Sequence, residues 1–161
     1  MKLYLVRHGD AISTENDDRR PLSPHGRTEA ENAGHFLKRM VVRPGSIYHS
    51  TLLRSAETAA LIAGVLDCAQ RVQERKDLLP DDDTDVWVDE LETMSEHCVL
   101  IGHLPFLSAL ASRLLTGSED DLSPKFPSGS VLCLEREGYG GWILRWFVTS
   151  KIIAAGRFAP D

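Results

Sequence analysis

KLYLVRHGD, Lys2 to Asp10, is an apolar run that stops abruptly on an arginine, a histidine and a glycine. Continuous apolar runs of this length fit a strand buried on both faces, as in a parallel sheet with helices on either side. A strand ending this way delivers two polar side chains and a permissive backbone to one edge of the sheet. In open α/β sheets that edge is where ligands bind.

The order of elements supports such a sheet. After a polar, turn-rich stretch from Asp10 to Leu22, Ser23-Pro24 has the form of an N-cap followed by proline at the first helical position. Ala30, Ala33, Leu37 and Met40 then recur at helical spacing until Arg43-Pro44-Gly45. A short strand is expected over Ser46 to Ser50, and a second helix over Leu53 to Leu66 with small residues on one face. A weaker strand at Arg71 to Arg75 leads through Leu78-Leu79-Pro80 and Asp81-Asp82-Asp83 into a helix marked by Trp87, Leu91 and Met94. Cys98 to Ile101 repeats the apolar pattern of the first strand, and Pro105 opens a helix that Gly117 ends. Ser130 to Glu135 and Trp142 to Thr149, joined by a glycine-rich turn, predict an antiparallel hairpin near the sheet edge. The expected fold is therefore α/β: a three-layer sandwich, its sheet mostly parallel with helices on both faces and a C-terminal antiparallel hairpin. Residues 1–150 should form one domain, with 151–161 a tail that is either flexible or left over from cloning.

At 161 residues, 42% hydrophobic and 26% charged, the chain suits a single core. A net charge of -6 and a pI near 5.5 speak against a nucleic-acid partner, which would demand a basic footprint. Cys68, Cys98 and Cys133 are odd in number and scattered among apolar neighbours, so buried thiols are expected. No apolar run is long enough to span a bilayer, and the stretch before Arg7 is too short for a signal-peptide core, which implies no membrane partner and a cytoplasmic location.

Filtered by the sheet-edge rule, the polar residues converge. Arg7 and His8 follow the first strand, Arg54 lies just past the second, Asp81 follows the third, and His103 follows the fourth. Two arginines at helix starts make a site for a dianion such as phosphate. A neutral histidine between them can attack phosphorus through one ring nitrogen, provided the other nitrogen's proton is held by an acceptor.

RHG at Arg7 to Gly9, LLRSAETA at Leu52 to Ala59 and IGHLP at Ile101 to Pro105 resemble the signature of the histidine phosphatase superfamily, whose fold is shared with cofactor-dependent phosphoglycerate mutase. Within it, RHGDA, RPLSPHG at Arg20 to Gly26 and GHLP are most similar to the SixA-type phosphohistidine phosphatases. The resemblance implies that His8 is the nucleophile that becomes phosphohistidine, that Arg7, Arg54 and His103 form the phosphate pocket, with His103 also catalytic, and that Asp81 stands where a proton donor would sit. It implies no cofactor and no metal. The expected substrate is phosphohistidine on a partner protein, such as a phosphotransfer or phosphocarrier domain, with phosphate as product.

Only about twenty-five residues separate the third and fourth strands, too few for a helix and a sizeable lid, so an open site suited to a protein-borne phosphoryl group is expected. Three alternatives compete. One is a small-molecule phosphatase or mutase of the same fold. Another is a metal-dependent phosphoesterase using His8, Asp10, His49, Asp81 and His103. The third is a non-catalytic binder of phosphorylated partners.

Overall fold

The computed structural model describes residues 1–138 and 140–156. Six strands form one sheet: β1 (Lys2–Arg7), β2 (Ser46–Ser50), β3 (Val72–Arg75), β4 (Cys98–Gly102), β5 (Val131–Arg136) and β6 (Trp142–Val148), in the order β3-β2-β4-β1-β5-β6. β3, β2, β4 and β1 are mutually parallel; β5 runs antiparallel to β1, and β6 to β5. The helices are α1 (Pro24–Arg39), α2 (Leu53–Val65), α3 (Asp85–Thr93), α4 (Phe106–Thr116) and α5 (Ser150–Ala155).

Strand alternation sorts the core into two layers. Tyr4 and Val6 of β1 face the side where Ala33 and Leu37 of α1, Ala59, Ile62 and Ala63 of α2 and Ile153 of α5 are buried. Leu3 and Leu5 face the opposite side, against Trp87 and Leu91 of α3 and Leu107, Leu110 and Ala111 of α4. This is the expected three-layer sandwich. The Trp87 ring is fully buried, and its indole N–H donates to the Asp77 carbonyl, so its polar atom is satisfied.

The helix boundaries follow from local chemistry. The Ser23 hydroxyl accepts the N–H of Gly26 at the start of α1, with proline in the first turn. Gly117 ends α4 at φ 87°, a conformation that glycine adopts without steric cost.

The C-terminal boundary needs a correction. Residues 150–155 are a helix whose Ile153 is buried in the layer shared with α1, so the domain extends past 150 and the proposed tail is in part core. A six-residue helix is too short to display a period in sequence, which is why it read as a tail. The remainder of that segment, 157–161, lies outside the described residues.

α1 and α4, which follow the adjacent strands β1 and β4, pack on opposite faces. The chain therefore diverges between the carboxyl ends of these two strands, opening a crevice at the switch point of the sheet. Arg7 and Gly102 are register partners there, and the His8 N–H donates to the Gly102 carbonyl at 3.2 Å. That pairing sets His8 beside His103.

Candidate active site

His8 leaves β1 into a tight backbone crossing. A Cβ on Gly9 would overlap the Gly26 carbonyl, and a Cβ on Gly26 would overlap the Asp10 carbonyl, so both positions require glycine. The crossing is braced by the Gly9 N–H on Thr58 Oγ1 at 3.1 Å and the Asp10 N–H on Glu29 Oε2 at 2.9 Å. Within it, His8 Nδ1 lies 2.7 Å from the Gly9 carbonyl. A carbonyl only accepts, so Nδ1 carries the proton and Nε2 keeps its lone pair.

The rings of His8 and His103 stand 4.8 Å apart, centre to centre, tilted by 47°. Arg7 is anchored by its Nη1 on the Phe126 carbonyl at 2.6 Å. Arg54, in the first turn of α2, is 5% exposed and gives Nη1 and Nη2 to the Asp17 carbonyl (2.8 Å) and Oδ2 (3.0 Å). Arg7 Nε and His103 Nδ1 are buried without a hydrogen-bond partner. Buried polar atoms are nearly always paired, so two orphans in one crevice mark where a polar ligand belongs. The N-termini of α2 and α4 carry no side-chain cap and add positive potential at the same edge.

The motif LRSAET places a different task on nearly every side chain. Arg54 faces the crevice, Ser55 donates to the Ile101 carbonyl of β4 at 2.8 Å, and Glu57 accepts the Leu22 N–H at 2.6 Å. Thr58 links the Arg54 carbonyl to the Gly9 N–H. One helix turn thus ties β1, β4 and the 10–22 loop together.

Both histidines are held neutral. Burial is the main reason that His8 is pushed down to about 4; the Gly9 carbonyl opposes this, and Arg54, Arg7 and Arg20 reinforce it. His103 is pushed down to about 3, again mainly by burial, then by His8 and Arg54, with Asp17 acting the other way. In an NMR titration neither ring should protonate between pH 8 and 5; a midpoint near 6.5 for His8 would contradict the buried, arginine-flanked site. The same shifts carry a stability consequence. Below about 6.5 the unfolded chain takes up protons that the folded one refuses, so stability is complete above that pH and falls as pH drops toward 4.

The site brings together four of the five expected residues: Arg7, His8, Arg54 and His103. Asp81 lies on the same edge in an exposed turn, which is fastened to α4 by the Phe106 N–H on the Pro80 carbonyl and closed by the Leu79 N–H on Asp82 Oδ2. It is not among the charges acting most strongly on either histidine. Among the described residues, no three His, Cys, Asp or Glu side chains are placed together to hold a metal ion, the five of the metal-ligand alternative included.

Three residues of this region were not among the site residues expected from the sequence. Arg20 and Asp17 come from the loop after β1, which a bridge between Ala11 and Leu22 closes at its base. Arg20 Nη1 binds Asp17 Oδ1 at 3.0 Å, so Asp17 joins Arg20 to Arg54. The signal for Arg20 was its place in RPLSPHG; nothing distinguished Asp17 from its acidic neighbours. The third is Ser50, 2.6 Å from His103 Nε2.

The model of the histidine phosphatase superfamily (branch 1) matches residues 3–79. An uncharacterized protein of Mycobacterium leprae (strain TN) is 30% identical over 130 residues, covering 76% of this chain and 78% of its own. Among solved structures, the protein histidine phosphatase SixA complexed with tungstate superposes with a TM-score of 0.85 at 22% identity, covering 94% of this chain and 98% of its own. Phosphoserine phosphatase of Entamoeba histolytica, in complex with 3-phosphoglyceric acid, gives 0.71 at 18%, with coverage of 94% and 98%. At these identities the structural likeness establishes the fold.

Proposed function

The chain belongs to the histidine phosphatase superfamily, and on that premise we propose that it is a phosphohistidine phosphatase, hydrolysing phosphohistidine on a partner protein through a phospho-His8 intermediate. The observation that carries the chemistry is the His8 Nδ1 contact with the Gly9 carbonyl, which leaves Nε2 as an oriented nucleophile. Nε2 attacks phosphorus in line while the P–N bond to the substrate imidazole breaks. Nδ1 keeps its proton, and the positive charge that develops on the His8 ring faces the Gly9 carbonyl. Arg7 and Arg54 neutralise the equatorial oxygens, His103 contributes a further donor, and no metal is required for this charge balance. Water then attacks the phosphoenzyme, one of its protons passes to the departing phosphate, and His8 leaves as the neutral imidazole it was.

Two features support a protein-borne substrate. Between β3 and β4, residues 76–97 hold only α3 and its flanking turns, which leaves no inserted lid to enclose a small molecule. The SixA fold is matched more closely than that of the phosphoserine phosphatase. An imidazole whose distal nitrogen is protonated departs neutral, so it depends less on acid catalysis than an alkoxide does.

We assign Asp81 as the proton donor for ester substrates. Asp81→Asn should then lower hydrolysis of a phosphate ester at least tenfold more than hydrolysis of phosphohistidine. A matched kinetic series tests this with wild type and variant, a phosphohistidine-bearing phosphocarrier protein and a panel of small phosphate esters. Efficient turnover of an ester, with none on phosphohistidine, would favour the small-molecule reading; binding without turnover on either would favour a phosphoprotein binder.

A further inference from the structure

Ser50 ends β2 with its side chain fully buried. Its hydroxyl oxygen makes two contacts, to the backbone N–H of Leu52 at 3.3 Å and to His103 Nε2 at 2.6 Å. A backbone N–H can only donate, so toward Leu52 the oxygen accepts, and its single proton remains to be placed. If Nε2 were protonated and donated to Ser50, that hydroxyl proton would be left without an acceptor in a buried site. Nδ1 would then present a bare lone pair to the crevice. If the hydroxyl donates to Nε2, the serine is satisfied and Nδ1 carries a proton.

The second assignment also fits the ligand. His103 Nδ1 is buried and unpartnered beside the His8 ring. Phosphoryl oxygens only accept, so a lone pair there would repel them and an N–H would bind them. We propose that Ser50 is a positioning residue that holds His103 in the Nδ1–H tautomer, so that neutral His103 donates a hydrogen bond to the transferring phosphoryl group. This rests on the phosphatase reading above and names how one of its residues is prepared.

Ser50 is itself fixed. Its N–H donates to Ser55 Oγ at 3.2 Å, and the Ser55 hydroxyl donates to the Ile101 carbonyl at 2.8 Å, two residues before His103. This serine relay sets the distance between the hydroxyl and the ring by tying the ends of β2 and β4. The choice of a hydroxyl has a chemical logic, because a carboxylate at this position would accept from Nε2–H, select the opposite tautomer and favour the charged ring. Both histidines thus carry their proton on Nδ1 but turn opposite ends to the substrate. His8 spends its N–H on a carbonyl and offers a lone pair; His103 spends its lone pair on a hydroxyl and offers an N–H.

The test is a long-range ¹H–¹⁵N correlation spectrum of the imidazole rings at pH 7 in the full chain, with the His103 signals identified by their loss in His103→Asn. Wild type should show a protonated Nδ1 and an unprotonated Nε2 at His103. Ser50→Ala should give mixed tautomers, weaken vanadate binding about tenfold or more and lower kcat more than it raises KM, while Ser50→Thr, which keeps the hydroxyl, restores the wild-type spectrum. An Nε2–H tautomer in wild type overturns the proposal, as does Ser50→Ala with unchanged tautomer and vanadate affinity. Should the alanine variant fail to fold, the wild-type spectrum decides alone. It is recorded without substrate, so a wrong tautomer and an absence of turnover are separate results, the second of which overturns the phosphatase reading itself.

Discussion

His8→Ala is expected to lower phosphate release by about 10⁵-fold or more, on the scale of deleting a covalent nucleophile. His103 is not oriented to replace it, since its Nε2 is occupied by Ser50 and its Nδ1 carries the proton assigned above. The fold should survive, because the recorded side-chain hydrogen bond of His8 is to the adjacent Gly9 carbonyl and ties no distant element. Removing a histidine that is held neutral should also flatten the acid limb of stability, by up to about 1.4 kcal/mol per pH unit between about 6.5 and 4. Phosphate release, acid-labile labelling by a radioactive phosphoryl donor and thermal unfolding at pH 7 and pH 5 are the measurements. Near wild-type turnover by the variant would remove His8 from the mechanism.

Arg7→Ala and Arg54→Ala should each cost a factor of about 10² to 10³ in kcat/KM, the usual scale for one preorganised donor to a developing anion. They should differ in what else they disturb. Arg7 loses its bond to the Phe126 carbonyl near β5, whereas Arg54 loses both bonds to Asp17 and releases the 10–22 loop from α2 on that side. Arg54→Lys should rescue only part of the loss, because an ammonium cannot reproduce two parallel bonds. Vanadate affinity reads the pocket without requiring turnover; tight binding that persists without either arginine would place the oxyanion elsewhere.

Most of the fold was legible because its signals are local. The apolar runs of β1 and β4, the Ser23-Pro24 start of α1 and the Gly117 stop of α4 are each written within a few residues. Arg7, His8, Arg54 and His103 were legible for the same reason, since each ends or directly follows a strand or opens a helix on one edge. α5 is six residues long and takes its place from packing on α1, which no period in the sequence reveals. Asp17 and Ser50 act through partners that lie 37 and 53 residues away in the chain. As sequence, one is an acid in an acidic stretch and the other a serine among serines; only the folded geometry makes either of them specific.

The central position of β1 bears on how the protein reaches its active form. β1 lies between β4 and β5, so its pairings join Leu3 to Cys98 and to Leu134, and neither of its neighbours in the sheet is its neighbour in sequence. Contacts of such long range close the largest loops in the chain, and loop closure of this kind slows folding. His8 and His103 meet only through the β1–β4 register, so neither half of the chain holds a working pair by itself. Activity regained during refolding therefore reports the closing of the middle of the sheet, and truncation before β4 yields a chain with a nucleophile but no site.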